Sequence, residues 1–330
     1  VRRLTMALIL TVLPLMAAGR GKVKLRGSKA RQGAPDDGSV PPRFLQQVRT
    51  GRTSKAEQWL AQARERHPDS LDLLTAQAVI HTAHNEHWLA IPLYEQSLGS
   101  AFYERAGIRF HADSLSQLGD GVRASQLRTR RLHRDDYSHQ QVQYENITRI
   151  HDARDAQDYL LALDACDAAV GHAPHSGSVY AACAEVFIDM GDLEAASFQL
   201  LLSRERNTSR TGATQAAIAE ARWLMANDQP EQAVLILREF RQRNRTNERY
   251  WAVLSDALAA SGRPREATWV LRDVMFRRSA SGGIRARRAR LELRAGNLPE
   301  ARRQLDALLT DMPGNPDGVA VFAELSGTDG

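Results

Sequence analysis

Eight alanines recur along the chain at a nearly fixed interval, and that interval restricts the fold more than any other feature. They are Ala56, Ala90, Ala124, Ala162, Ala196, Ala233, Ala267 and Ala301, separated in turn by 34, 34, 38, 34, 37, 34 and 34 residues. Five residues before them stand Gly51, Asn85, Gly119, Gln157, Gly191, Asp228, Gly262 and Gly296, mostly types that tolerate a left-handed backbone. Four residues after them come Leu60, Tyr94, Arg128, Cys166, Leu200, Leu237, Leu271 and Leu305. Twelve before, Ala78, Ala112, Ala184, Ala221, Ser255 and Ala289 supply a second small contact. Twelve after, Pro68, Pro174 and Pro313 stop the chain from continuing as helix. The pattern spells a helix, a tight turn and a second helix. Gly177 to Arg210 shows it best: Tyr180, Ala184 and Phe187 share one face, Gly191 ends that helix, and Ala196, Leu200 and Ser203 share a face of the next. Two such short helices cannot bury their apolar faces alone, so each unit requires neighbours stacked on it. No period-two strand pattern interrupts the series.

The segments 56–68 (AEQWLAQARERHP), 162–174 (ALDACDAAVGHAP) and 301–313 (ARRQLDALLTDMP) resemble the tetratricopeptide repeat (TPR), and the 34-residue period is that of the family. The resemblance covers roughly Val40 to Asp317. It implies an all-α, right-handed superhelical solenoid of about eight helix-turn-helix repeats with a C-terminal capping helix. The expected organisation is a signal peptide or membrane anchor at 1–19, a basic flexible linker at 20–42, the array at 43–315, and the capping helix and tail at 316–330. That last helix, carrying Val319, Phe322 and Ala323, is expected to present a polar outer face. Two units depart from the pattern. In the third, Arg128 and Arg131 take places that should be apolar, so Leu127 and Leu132 are expected to rotate inward and loosen the joint near Arg130–Gln140. The sixth carries three extra residues around Thr208–Thr211.

The N-terminal stretch Leu4 to Ala18 is a mostly apolar run behind Arg2 and Arg3, in the manner of a secretory signal peptide. It is shorter than the roughly 20 residues of a spanning helix, and no cysteine near its end offers a lipid anchor. The basic residues that follow favour retention on the cytoplasmic side. The expected location is therefore exported or membrane-tethered, with a cytoplasmic protein as the alternative. Residues 1–31 carry eight basic side chains and no acid, which leaves 36 basic against 39 acidic residues elsewhere. The array has no global charge that calls for nucleic acid.

Sequences that signal chemistry are missing: no nucleophile elbow, glycine-rich phosphate loop, CxxC pair or HExxH occurs. Asp164 with Asp167 and Asp113 with Asp120 read as carboxylates on solvated helix faces. His81, His84 and His87 fall on a turn and in a core column, which suits neither zinc nor any other metal. The expectation is a non-enzyme without cofactor. Cys166 and Cys183 lie on touching helices of adjacent units; they read first as compact buried residues and second as a disulfide in an oxidising compartment. A dense arginine cluster spans 277–303.

The resemblance also implies where a ligand sits: on the concave face lined by first helices, which in the family holds peptides or partner segments. One inward column is Val79, Asp113, His151, Glu185, Arg222, Asp256 and Arg290, flanked by Tyr144, Ile147, Ile188, Arg249 and Arg287. The candidate partner-binding residues are Asp113, Tyr144, His151, Glu185, Arg222, Arg249, Asp256 and Arg290. Charge reversal at Glu185 and Arg222 is expected to abolish partner capture without lowering helicity. The lysine and asparagine pairs of a chaperone-type carboxylate clamp are not placed on successive first helices. The expected function is a non-catalytic protein–protein scaffold, by analogy with envelope TPR proteins of secretion, pilus assembly or polysaccharide export. The alternative is a binder of an anionic polymer or a membrane surface through the C-terminal arginines.

Overall fold

A computed structural model describes residues 38–132, 138–207, 210–244, 247–277 and 281–327. The signal-like segment and most of the linker, residues 1–37, lie outside the described residues, as does part of the joint expected at 130–140. Every regular element among the described residues is helical. The chain divides into two compact units, one ending at Gly107 and one beginning at Ile108.

The first unit holds α1 (Pro42–Arg49), α2 (Thr53–Arg66), α3 (Leu71–Ala83), α4 (His87–Gln96) and a π-helical turn at Tyr103–Gly107. Phe44 of α1 is its aromatic anchor, edge-on to Trp59 at 5.4 Å and to Phe102 at 6.1 Å between centroids. The second unit holds α5 (Ile108–Gln117), α6 (Gly121–Leu132), α7 (His139–Asp155), α8 (Tyr159–His172), α9 (Gly177–Met190), α10 (Leu193–Glu205), α11 (Arg210–Ala226), α12 (Pro230–Phe240), α13 (Glu248–Ala260), α14 (Pro264–Arg277), α15 (Gly282–Arg294), α16 (Leu298–Asp311) and α17 (Pro316–Gly327). There each first helix packs on its own second helix, and α7, α9, α11, α13 and α15 lie side by side. The chain has the fold of an all-α helical repeat solenoid.

The alanine ladder and the turn residues account for this packing. All eight ladder alanines are buried, so the paired helices approach to backbone distance at each one. All eight turn residues have positive φ, including the non-glycines Asn85 (63°), Gln157 (59°) and Asp228 (56°). Asp158 and Asp192 then cap the following helices, each accepting a backbone N–H three residues on at 3.0 Å. The same register holds in all eight repeats.

Both insertions go into first helices. Those of repeats two, five, seven and eight (α3, α9, α13, α15) have 13 or 14 residues, whereas α7 and α11 have 17. Each gains about one helical turn. Ser138 fixes the new start of α7 through a capping box with Gln141.

Three expectations are corrected here. Arg128 does not yield its place to leucines; it is buried at the apolar position of its repeat. Cys166 of α8 and Cys183 of α9 are joined as a disulfide with Cα atoms 5.7 Å apart, so they are not free thiols. And α17, which packs on α15 and α16, leaves Val319 and Phe322 exposed, so its outer face is partly apolar. The start of α17 also meets the turn after α5: a Cβ added to Gly119 would lie 2.9 Å from Cγ of Pro316.

Candidate functional site

Four of the eight candidate residues converge on one point of the second unit. Glu185 projects from α9 and is fully buried. Its Oε2 accepts from Arg154 of α7 at 2.6 Å, from Arg222 of α11 at 2.7 Å, and from Arg249 of α13. Four first helices of consecutive repeats thus share a single carboxylate oxygen. Arg249 also donates to Nε2 of His151, and Asp189 pairs with Arg222 at 2.5 Å and with Arg154 at 3.4 Å. Oε1 of Glu185 has no hydrogen-bond partner among the described residues.

The electrostatics follow from this crowding. Burial alone pushes the Glu185 carboxyl up, but the guanidiniums of Arg249, Arg154 and Arg222 together outweigh it and hold the group well below the usual carboxylate range. His151 moves well below the ordinary histidine value, through burial first and then through Arg249 and Arg154, and so stays neutral. Three arginines face Glu185, Asp189 and Asp155, so the charge is balanced within the cluster. Reversing Glu185 alone would put a fourth cation among Arg154, Arg222 and Arg249, so loss of partner capture in that variant would not separate binding from folding.

A second ion cluster surrounds Arg128 on α6. It donates to Asp113 (2.7 Å), Asp152 (2.7 Å) and Glu145 (3.1 Å), and Ser116 donates to Asp152 at 2.8 Å. Asp113 is thus the partner of a buried cation, with its own side chain 32% exposed. Burial pushes Asp152 up to about 6, with Arg128 and Ser116 opposing the shift. Periodicity missed Glu145, Asp152, Arg154 and Asp189. The available signals were the arginine at an apolar position of α6 and the i, i+4 spacing of Glu185 and Asp189 on α9.

The remaining candidates are dispersed. Tyr144 of α7 stays 41% exposed, with the Arg109 guanidinium 5.7 Å from its ring centre. Asp256 pairs with Arg287, and Arg290 pairs with Glu324 at 2.8 Å. Val79, in the first unit, is wholly buried and cannot line a ligand face. Arg285, Arg287, Arg288, Arg290 and Arg303 of the arginine cluster each pair with a carboxylate, and α15 to α17 hold seven arginines against six acids. His81 pairs with Glu86 at 2.7 Å and His84 with Glu57 at 3.1 Å. Among the described residues no three such groups converge as metal ligands. A cavity of about 440 Å³ beside the α8–α9 turn contains none of the candidate residues.

Buried small residues at a 34-residue interval, left-handed turns and paired helices define a tetratricopeptide repeat solenoid. Among solved structures, the chain is similar to a TPR protein from Parabacteroides merdae, at 10% identity and a TM-score of 0.49 over 78% of this chain and 98% of that one. It is also similar to a monomeric mutant of IFIT1 solved with m7Gppp-AAAA (12% identity, TM-score 0.50, 86% of this chain and 76% of that one). A third is pilF of Pseudomonas aeruginosa (15% identity, TM-score 0.43, 63% and 91%). At such identities the likeness concerns the fold alone. No family model and no curated protein sequence matches the chain.

Proposed function

We propose that the protein is a non-catalytic scaffold that holds an extended segment of a protein partner on the first-helix face of its second unit. The observation that carries this reading is the state of Tyr144. It is a large aromatic side chain on a first helix, left exposed beside a face on which Asp113, Glu185, Arg222 and Asp256 are each ion-paired. A segment that binds there gains by stacking on Tyr144 and by hydrogen bonding to the partly exposed Arg222 and Arg249, not by neutralising a free charge. The cluster around Glu185 holds four first helices in place and so presents the face preformed, which lowers the ordering cost of binding.

An oxidising compartment suits the Cys166–Cys183 disulfide, and the apolar run Leu4 to Ala18 suits export or tethering. Both agree with a role in a bacterial envelope assembly, secretion or polysaccharide-export system. The test is affinity purification from the native host with wild type and Tyr144→Ala, which leaves the buried clusters intact. Loss of one specific partner is expected. An unchanged set of partners would overturn the reading.

A further inference from the structure

Three second helices carry an exposed apolar side chain at the same register position. Two residues beyond the ladder alanine stand Phe198 on α10, Leu235 on α12 and Trp269 on α14, which are 58%, 63% and 54% exposed. A single exposed apolar residue is ordinary. The same position filled in three successive repeats makes a column. The neighbouring repeats place Asp164 and Arg303 there, so the column is bounded at both ends. On each helix the residues four before and three after share its face. They are Glu194, Glu231 and Arg265 along one edge, and Leu201, Arg238 and Arg272 along the other, all exposed. One edge is acidic over α10 and α12, and the other is basic over α12 and α14. Arg238 of α12 donates to Glu266 of α14 at 2.7 Å, which ties those two outer faces together.

We propose that this column is a docking surface for an amphipathic helix of a partner protein, one whose apolar stripe is flanked by basic residues on one side and acidic residues on the other. It lies on the second helices and does not depend on the reading of the first-helix face. The edge charges select the occupant. A second copy of the chain turned about an axis along the column brings Glu231 against Arg238 but Arg265 against Arg272, so attraction and repulsion cancel. Turned about an axis across the column, it brings Glu194 against Arg265 but also Glu231 against Glu231 and Arg238 against Arg238 at its centre. An anionic lipid surface would be attracted by Arg238, Arg265 and Arg272 but would meet Glu194 and Glu231 beside Phe198 and Leu235. A partner helix of mixed flanks meets Glu194, Glu231, Arg238 and Arg272 with opposite charge and leaves Arg265 alone opposed, a better match than either a second copy or a lipid surface offers: the apolar anchors supply affinity and the two edges set its orientation.

The test uses a labelled synthetic helix of about three heptads, with a leucine stripe, lysines on one flank and glutamates on the other. Two controls carry the same stripe with lysine on both flanks or glutamate on both. Fluorescence anisotropy with the full chain should show the mixed-flank helix binding at least about tenfold tighter than either control. Leu235→Ser combined with Trp269→Ser should remove that binding while the chain keeps its helical circular dichroism at the assay temperature, because both side chains are more than half exposed. Equal binding of the three helices, no binding of any, or binding that survives the double substitution would overturn the proposal. So would self-association in sedimentation, or attachment to phosphatidylserine vesicles, that the double substitution abolishes.

Discussion

Arg249 on α13 donates to the carboxylate of Glu185 on α9, 64 positions earlier in the chain and two repeats away. Contacts between adjacent repeats set the position of α13 relative to α9 only by way of α11, and none of them does so directly. This one does, and Arg154 and Arg222 bring α7 and α11 to the same oxygen. Removing the anion leaves three guanidiniums facing one another. Glu185→Gln is expected to cost on the order of 3–5 kcal/mol in chemical denaturation. Because the folded-state pKa is depressed, the contribution is fully present above the unfolded glutamate value of ~4.3. It is lost only as pH falls through the much lower folded value. The gap between wild type and Glu185→Gln should therefore persist unchanged from about pH 5 to pH 8.

Asp152 has the opposite sign. Burial raises it to about 6 in the folded chain, against ~3.9 when unfolded. The folded state binds this proton more tightly, so the group contributes stability below about pH 4 that is lost as pH rises through about 6. Urea unfolding at intervals across that window should show a downward slope in wild type, and Asp152→Asn should lack it.

Arg128 is expected to behave as a buried cation whose loss strands three carboxylates. Arg128→Leu restores the apolar residue of the repeat pattern but leaves Asp113, Glu145 and Asp152 together. The expected loss is about 3–5 kcal/mol by chemical denaturation. Stabilisation by this substitution would contradict the account of the cluster.

Gly119 and Gly191 hold matching turns at φ 85° and 80°. A Cβ at Gly191 meets nothing within 4 Å, whereas at Gly119 it meets Pro316. Gly191→Ala should cost about 1–2 kcal/mol for the left-handed backbone alone. Gly119→Ala should cost measurably more in the same denaturation assay. Equal losses would mean that Pro316 does not press on this turn.

The repeat architecture was legible because it depends on local chemistry. A small residue where helices touch and a residue that accepts positive φ at the turn leave their mark at a fixed interval, even where the turn residue is Gln157 or Asp228. The fate of Arg128 was not legible: an arginine at an apolar position reads as a defect until the carboxylates of α5 and α7 are placed around it. The Glu185 cluster was half legible. Helical periodicity put His151, Glu185 and Arg222 in one column. How tightly the first helices wind, which buries Glu185 and brings Arg249 to it, depends on packing summed over several repeats.

The claim that the first-helix face of the second unit receives a partner is tested most directly by site-specific photo-crosslinking in the native host. A photoreactive residue at position 144 is compared with one at position 164, on the exposed face of α8. The account predicts a discrete crosslinked protein from position 144 that is absent at position 164. No adduct at 144, or the same adducts at both positions, would contradict it.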